Sequence, residues 1–221
     1  MRLLIAAALA LAAGTAQARP VLVEMFTSQA CSSCPPADAL LSTLAKDPGI
    51  LPLSFNVTYW NSPSWTDAYG LSEATARQAW YAGLRGSQEV YTPEAVVDGT
   101  AQLTGSDRAG MQAAIAAART VPTGDTKITI TGGAMITVTV AAGSGGAELS
   151  LFGFDPSHTT RIGGGENGGA TLTEVNVVRS ARDLGLWTGQ LMSMSFSRPA
   201  GARMAVILQR PDGAILGVGL Q

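Results

Sequence analysis

Two cysteines, Cys31 and Cys34, are the only thiols in the 221-residue chain. Before them runs Val21-Leu22-Val23-Glu24-Met25-Phe26, an apolar stretch that reads as a buried strand. After them comes a segment with helix-start chemistry, from Pro35 to Lys46. The C-x-x-C spacing lets the sulfurs meet, because a bridge needs Cα atoms only about 4.4–6.8 Å apart. Such a pair between a strand and a helix has the form of a dithiol redox site. A helix start presents unpaired N–H groups and the positive end of the helix dipole, which favour the reactive thiolate. Pro35 and Pro36 temper that effect. Proline lacks an N–H and is tolerated only in the first turn, so regular helical bonding is expected only after Cys34, with Ser33 or Cys34 near the cap.

The first residues indicate a compartment. Met1-Arg2 is a short basic lead, Leu3 to Ala13 is apolar, and Ala16-Gln17-Ala18 has the A-x-A cleavage pattern. Residues 1–18 are therefore expected to be a signal peptide, cleaved near Ala18 to leave a periplasmic or secreted protein. The apolar run is well short of the roughly 18 residues a membrane span needs, so no stable span is expected. Disulfides persist in such a compartment. With 14 basic and 16 acidic side chains and no Lys/Arg cluster, the composition argues against nucleic acid as a partner.

Along the chain, Ala37, Leu40, Leu41 and Leu44 fall at helical spacing, and Asp47-Pro48-Gly49 ends that helix. Ile50 to Val57 reads as a second strand, parallel to the first through a right-handed crossover. Open α/β sheets place their sites at the C-terminal strand edge. Residues Tyr59 to Trp65 leave from that edge, as a platform for an extended peptide or as a loop pinned by its own aromatics. Leu71 to Leu84 reads as a helix, Asp98-Gly99 as a hairpin turn between Ala95–Val97 and Ala101–Thr104, and Ser106-Asp107 as the start of a third helix. The order β-α-β-α-β-β-α is the minimal thioredoxin layout. A cis-proline opposite the disulfide belongs to that layout, which singles out Thr92 and Pro93.

Thr120 to Asp125 looks like a boundary. Beyond it seven short strands are expected, among them Glu148–Phe154 and Thr171–Val178, separated by Gly-rich turns. The expected architecture is an α/β thioredoxin-like domain at 19–122 followed by an all-β sandwich-like domain at 123–221.

The segments Val23 to Asp38 (VEMFTSQACSSCPPAD), Ala74 to Ala82 (ATARQAWYA), Val90 to Gly99 (VYTPEAVVDG) and Gly165 to Ser180 (GENGGATLTEVNVVRS) carry a resemblance. The chain resembles a secreted thioredoxin-like family catalogued as domain of unknown function 1223. The resemblance implies a thioredoxin-like first domain, a β-rich second domain, Cys31 and Cys34 as a redox pair, and Pro93 as the cis-proline. It implies no particular activity. Ala170 departs from the pattern, which has arginine there.

The cysteine pair admits three readings. The first is catalytic thiol–disulfide exchange on exported proteins, with Cys31 attacking, Cys34 resolving, a separate redox partner protein, and no cofactor beyond the disulfide itself. The second is a periplasmic copper(I) carrier using Cys31 and Cys34 as soft ligands. Met192, Met194 and the lone His158 are distant candidates to complete such a site. The third is a structural staple in a non-catalytic, partner-binding protein; so short a loop is worth only about 2 kcal/mol in the chain-entropy model. Glu24 is either a buried acid beneath the disulfide, serving the resolving thiol, or a solvated glutamate at an edge. Residues 163–168 match G-x-G-x-x-G, but a strand-like segment follows, so a tight loop is favoured over a nucleotide site. The resemblance alone implies that this loop, with Glu166 and Asn167, docks near the cysteines and gates them. His158 reads as a loop histidine, and Met192 and Met194 as core filling.

Overall fold

A computed structural model describes residues 19–121 and 126–221. The expected signal peptide, 1–18, lies outside the described residues, as does most of the expected domain boundary. The first strand, β1 (Val21–Thr27), is buried along its whole length. It pairs in parallel with β2 (Ile50–Asn56) and antiparallel with β3 (Glu94–Val97), which continues through a hairpin to β4 (Ala101–Thr104). Between these strands lie α1 (Pro35–Leu44) and α2 (Ser72–Leu84), and α3 (Arg108–Thr120) follows β4. The hairpin turn has Asp98 and Gly99 at positive φ, as a tight two-residue turn requires.

A fully buried strand sends alternate side chains to opposite layers. Val21, Val23 and Met25 of β1 pack with Ala37, Leu40 and Leu41 of α1 and with Met111 and Ile115 of α3. Leu22 and Phe26 face the other way, with Phe55, Tyr81 and Phe152. Glu24 belongs to this second layer. Its carboxylate is bound by the Arg77 guanidinium and the Tyr81 hydroxyl, both on α2, and Gln209 donates to the same hydroxyl at 2.9 Å.

The second half of the chain does not form a separate sandwich. Two long strands, β7 (Ala147–Arg161) and β8 (Thr171–Trp187), make an antiparallel hairpin, and β8 pairs in parallel with β2 at Ser54↔Val177. With β10 (Arg203–Gln209) and β11 (Ile215–Leu220) the result is one eight-stranded mixed sheet, in the order β11-β10-β7-β8-β2-β1-β3-β4. A small sheet of β5 (Ile128–Gly132), β6 (Met135–Val140) and β9 (Met192–Ser197) covers one face of its far part. Met204, Val206 and Leu208 of β10 face this small sheet, whereas Ala205 and Ile207 join the layer of Leu22 and Phe26.

The expectation of an α/β thioredoxin-like domain followed by an all-β sandwich is therefore corrected. The fold is mostly β, with a large mixed sheet and three short helices among the described residues. The error has a physical origin. The apolar alternation of Glu148–Phe154 and Thr171–Val178 showed only half of each long strand. Asp155-Pro156-Ser157-His158, which reads as a turn, lies inside β7, where His158 pairs with Glu174. Recognised at full length, the hairpin reaches the open edge of β2.

The Glu24–Arg77 pair is buried at the carboxylate end and only slightly exposed at the guanidinium. Removing one partner strands a charge in the interior, which typically costs about 3–5 kcal/mol. Arg77→Ala is accordingly expected to lower unfolding stability by about that amount in a denaturant titration.

Candidate functional site

The site begins where β1 ends. After Thr27 the chain turns through Ser28, Gln29 and Ala30, with the Cys31 N–H donating to the Ser28 carbonyl at 3.2 Å. The Cys34 N–H donates to the Cys31 carbonyl, and Cys34 is the cap of α1, with Pro35 and Pro36 in the first turn. Cys31 thus stands before the helix, as the prolines dictate. The Ala37 and Asp38 N–H groups both donate to the Cys34 carbonyl. Cys31 and Cys34 are joined in a disulfide, with Cα atoms 5.4 Å apart. Both cysteines are fully buried, while Ser32 and Ser33 between them are exposed.

Ser33 links this turn to the β3 approach. Its hydroxyl lies 3.3 Å from the Cys31 sulfur and 3.4 Å from the Thr92 carbonyl. The Thr92–Pro93 bond is cis. The Thr92 hydroxyl accepts from the Trp60 indole at 2.7 Å. Tyr59 donates to Gln78, and Gln78 in turn donates to the Tyr91 carbonyl and to Glu94. The loop after β2 is thus pinned through its aromatic side chains, and Tyr59 and Tyr91 remain 43 and 39 % exposed.

The tip of the β7–β8 hairpin, residues 162–170, lies as a strap across the disulfide turn. The Glu166 carboxylate accepts from the Ser32 N–H at 3.0 Å and the Ser32 hydroxyl at 2.6 Å. The Glu166 N–H donates to the Ala30 carbonyl at 3.3 Å. The Asn167 amide donates to the Gln29 and Cys31 carbonyls, at 3.0 and 2.8 Å. Gly165 has φ +71° and lies against Ala30 so closely that a β-carbon would meet it at 3.1 Å. The two Ser32 bonds hold the exposed Glu166 carboxyl below its ordinary range. The G-x-G-x-x-G match is therefore a tight hairpin loop leading into β8, with no helix after it.

Beneath the turn is a group of buried acids that the sequence reading missed. Asp38, one helical turn beyond Cys34, accepts from the Thr27 hydroxyl at 3.0 Å. Glu174 of β8 accepts from the Gln29 and Asn56 amides, at 2.8 and 2.6 Å. Asp67 accepts from the Gln29 N–H at 2.9 Å and from the same Asn56 amide at 3.0 Å. Among the described residues, no Lys or Arg side chain is hydrogen-bonded to any of the three carboxylates. Burial, with Glu174 and Asp67 adding repulsion, pushes Asp38 up to about 8. Burial likewise raises Glu174.

Glu24 is not the acid beneath the disulfide. Strand alternation places it in the α2 layer, against Arg77, while Thr27 and Asp38 occupy the α1 side. The signal for Asp38 was its place four residues after Cys34, on the face that the helix buries. Asp67 and Glu174 come from distant segments, and no spacing announces them. His158 is bound to Asp155 at 2.8 Å and stacks on Tyr69; Met192 and Met194 lie on β9 against the small-sheet core. None of these approaches the cysteines through a contact the structure shows. Among the described residues no cluster of three or more His, Cys, Asp or Glu is arranged to hold a metal ion, and no helix is long and apolar enough to cross a membrane.

An acid whose folded pKa lies above its unfolded value favours the folded state below the unfolded pKa. That stability is lost as pH rises through the folded value. For Asp38 the window runs from 3.8 to about 8. Asp38→Asn should therefore flatten the decline of stability with pH. Between pH 5 and 8 the wild type should lose at least ~1 kcal/mol relative to the variant, read from denaturant midpoints.

Comparison with known proteins bears on the fold and the family. The crystal structure of protein AGR_C_4864 from Agrobacterium tumefaciens is similar, with 28% identity and a TM-score of 0.78 over 93% of this chain and 95% of that one. HBP35 of Porphyromonas gingivalis shares the fold at 12% identity, with a TM-score of 0.58 over 92% of this chain and 74% of that one. No curated protein matches. Residues 22–209 match the model of a family described as protein of unknown function, DUF1223. The chain belongs to the DUF1223 family.

Proposed function

We propose that the protein exchanges thiols and disulfides with exported proteins through Cys31 and Cys34. The observation that carries this reading is the placement of the bridge. It closes a turn at the C-terminal end of a parallel strand pair, beside the exposed Ser33 and the half-buried Thr92, under a strap held by polar contacts. A bridge of so short a loop contributes little as a staple. The leader-like residues 1–18 support a periplasmic or secreted setting for the exchange.

Both sulfurs are buried, so the turn must open before a substrate reaches them, and in this reading the strap over residues 29–32 moves aside. A substrate thiolate attacks the Cys31 sulfur; a mixed disulfide forms, the Cys31–Cys34 bond breaks, and Cys34 leaves with the electron pair. Asp38, on the buried side one turn along α1, gives Cys34 its proton. The substrate's second thiolate attacks the substrate sulfur of the mixed disulfide; the bond to Cys31 breaks, and Cys31 leaves with the electron pair and takes a proton from solvent. The substrate leaves oxidised and the protein is left as a dithiol, to be reoxidised by a partner. Run backwards, the same steps reduce a substrate disulfide, and Asp38 receives the Cys34 proton as Cys34 attacks. Serine at position 31 removes the sulfur that joins the substrate, whereas serine at 34 removes only the one that resolves it.

In an insulin-reduction or oxidative-refolding assay, Cys31→Ser is expected to abolish turnover. Cys34→Ser is expected to accumulate a covalent substrate adduct that reducing agent releases, visible by mass spectrometry. Turnover that survives Cys31→Ser would overturn the assignment.

A further inference from the structure

Residues 29–32 are unusual in how their backbone is satisfied. The Gln29, Ala30 and Cys31 carbonyls and the Ser32 N–H all find their partners on the strap. The partners are one backbone N–H, one carboxylate and one amide side chain from two adjacent residues, Glu166 and Asn167. A separate polypeptide that turns over these residues as the strap does offers the same groups. We propose that the strap is a built-in occupant of the surface on which a substrate polypeptide docks, and that this surface selects a turn-forming segment bearing a carboxylate side chain followed by an amide side chain. What the docked segment then undergoes rests on the thiol-exchange reading above; the docking does not.

Three features support a displaceable occupant. Ile162 at the base of the strap is buried, but the tip that covers residues 29–32 is held there by hydrogen bonds, with Glu166 exposed, and segments of that kind lie at the low end of local stability. Its sequence around the two contact residues is Gly163-Gly164-Gly165 and Gly168-Gly169, and each glycine raises the entropy lost on docking. The carboxylate faces the Ser32 N–H just ahead of α1, where the helix dipole favours negative charge. A lysine in Glu166's place would meet the same dipole with the wrong sign, so the surface discriminates by charge as well as by shape.

The test uses the folded, oxidised protein and measures how fast dithiothreitol reduces Cys31–Cys34, read by alkylation and mass. Double substitution Glu166→Ala with Asn167→Ala should speed reduction at least ~10-fold, the equivalent of losing charge-assisted hydrogen bonds. Millimolar Gly-Gly-Glu-Asn-Gly-Gly, added to the variant, should slow reduction back toward the wild-type rate, and Gly-Gly-Lys-Asn-Gly-Gly should not. If the double variant unfolds, Glu166→Gln serves in its place; it should be reduced faster than wild type, and the acidic peptide should again protect it. Equal rates in wild type and variant, or equal effects of the two peptides, would overturn the proposal. Peptide protection in a protein that shows no exchange with protein substrates would sink the redox function and leave the docking surface standing.

Discussion

The parallel contact between β2 and β8 is the join on which the arrangement depends. It is short, with Ser54↔Val177 as its registered pair. Pro52 explains the brevity, since a proline in β2 has no N–H to offer a neighbouring strand. Asn176 compensates. It adopts φ +47°, a region asparagine tolerates better than most residues, and its side-chain amide donates to the Pro52 carbonyl at 2.8 Å. Through this join the β7–β8 hairpin is held beside the first half of the chain, with Glu174 under the disulfide turn and the strap above it. Without the join, neither the buried acids nor the cover over the cysteines would assemble.

Local pattern made much of the first half legible. The three helices, the Asp98-Gly99 hairpin and the strand entering Cys31 follow from periodicity, turn residues and prolines, each acting over a few positions. The cis Thr92–Pro93 bond was reached through layout rather than through any property of the dipeptide. The second half was legible only as strands. Alternation tells a strand which side chains share a face, but not which strand lies beside it. The alternation of Ile50 to Val57 identified a strand and its parallel neighbour β1, but nothing in it pointed to β8 on the other side. Glu24 shows the opposite case. Its parity within β1 was readable, since it shares a face with Leu22 and Phe26, yet nothing local told which layer would hold the disulfide.

The interior handles buried charge in two ways. Glu24 meets a guanidinium, a phenol and, through that phenol, a glutamine, so its charge is balanced where it stands. Asp38, Asp67 and Glu174 meet hydroxyls, amides and backbone N–H groups, all neutral. Such donors hold a carboxylate in place without cancelling its charge, and burial pushes Asp38 and Glu174 toward their protonated forms. The balanced group stabilises the α2 layer, and the unbalanced one lies where sulfur chemistry would use a proton.

The two prolines after Cys34 carry a consequence for electron affinity. Pro35 and Pro36 have no N–H, and the next two donors, on Ala37 and Asp38, are spent on the Cys34 carbonyl. The first turn of α1 thus keeps no spare backbone donor for an anionic Cys34 sulfur. A cysteine pair whose leaving sulfur is poorly accommodated as an anion favours the bridged state over the open one. In the proposed exchange, the start of this helix would therefore incline the pair toward giving electrons away.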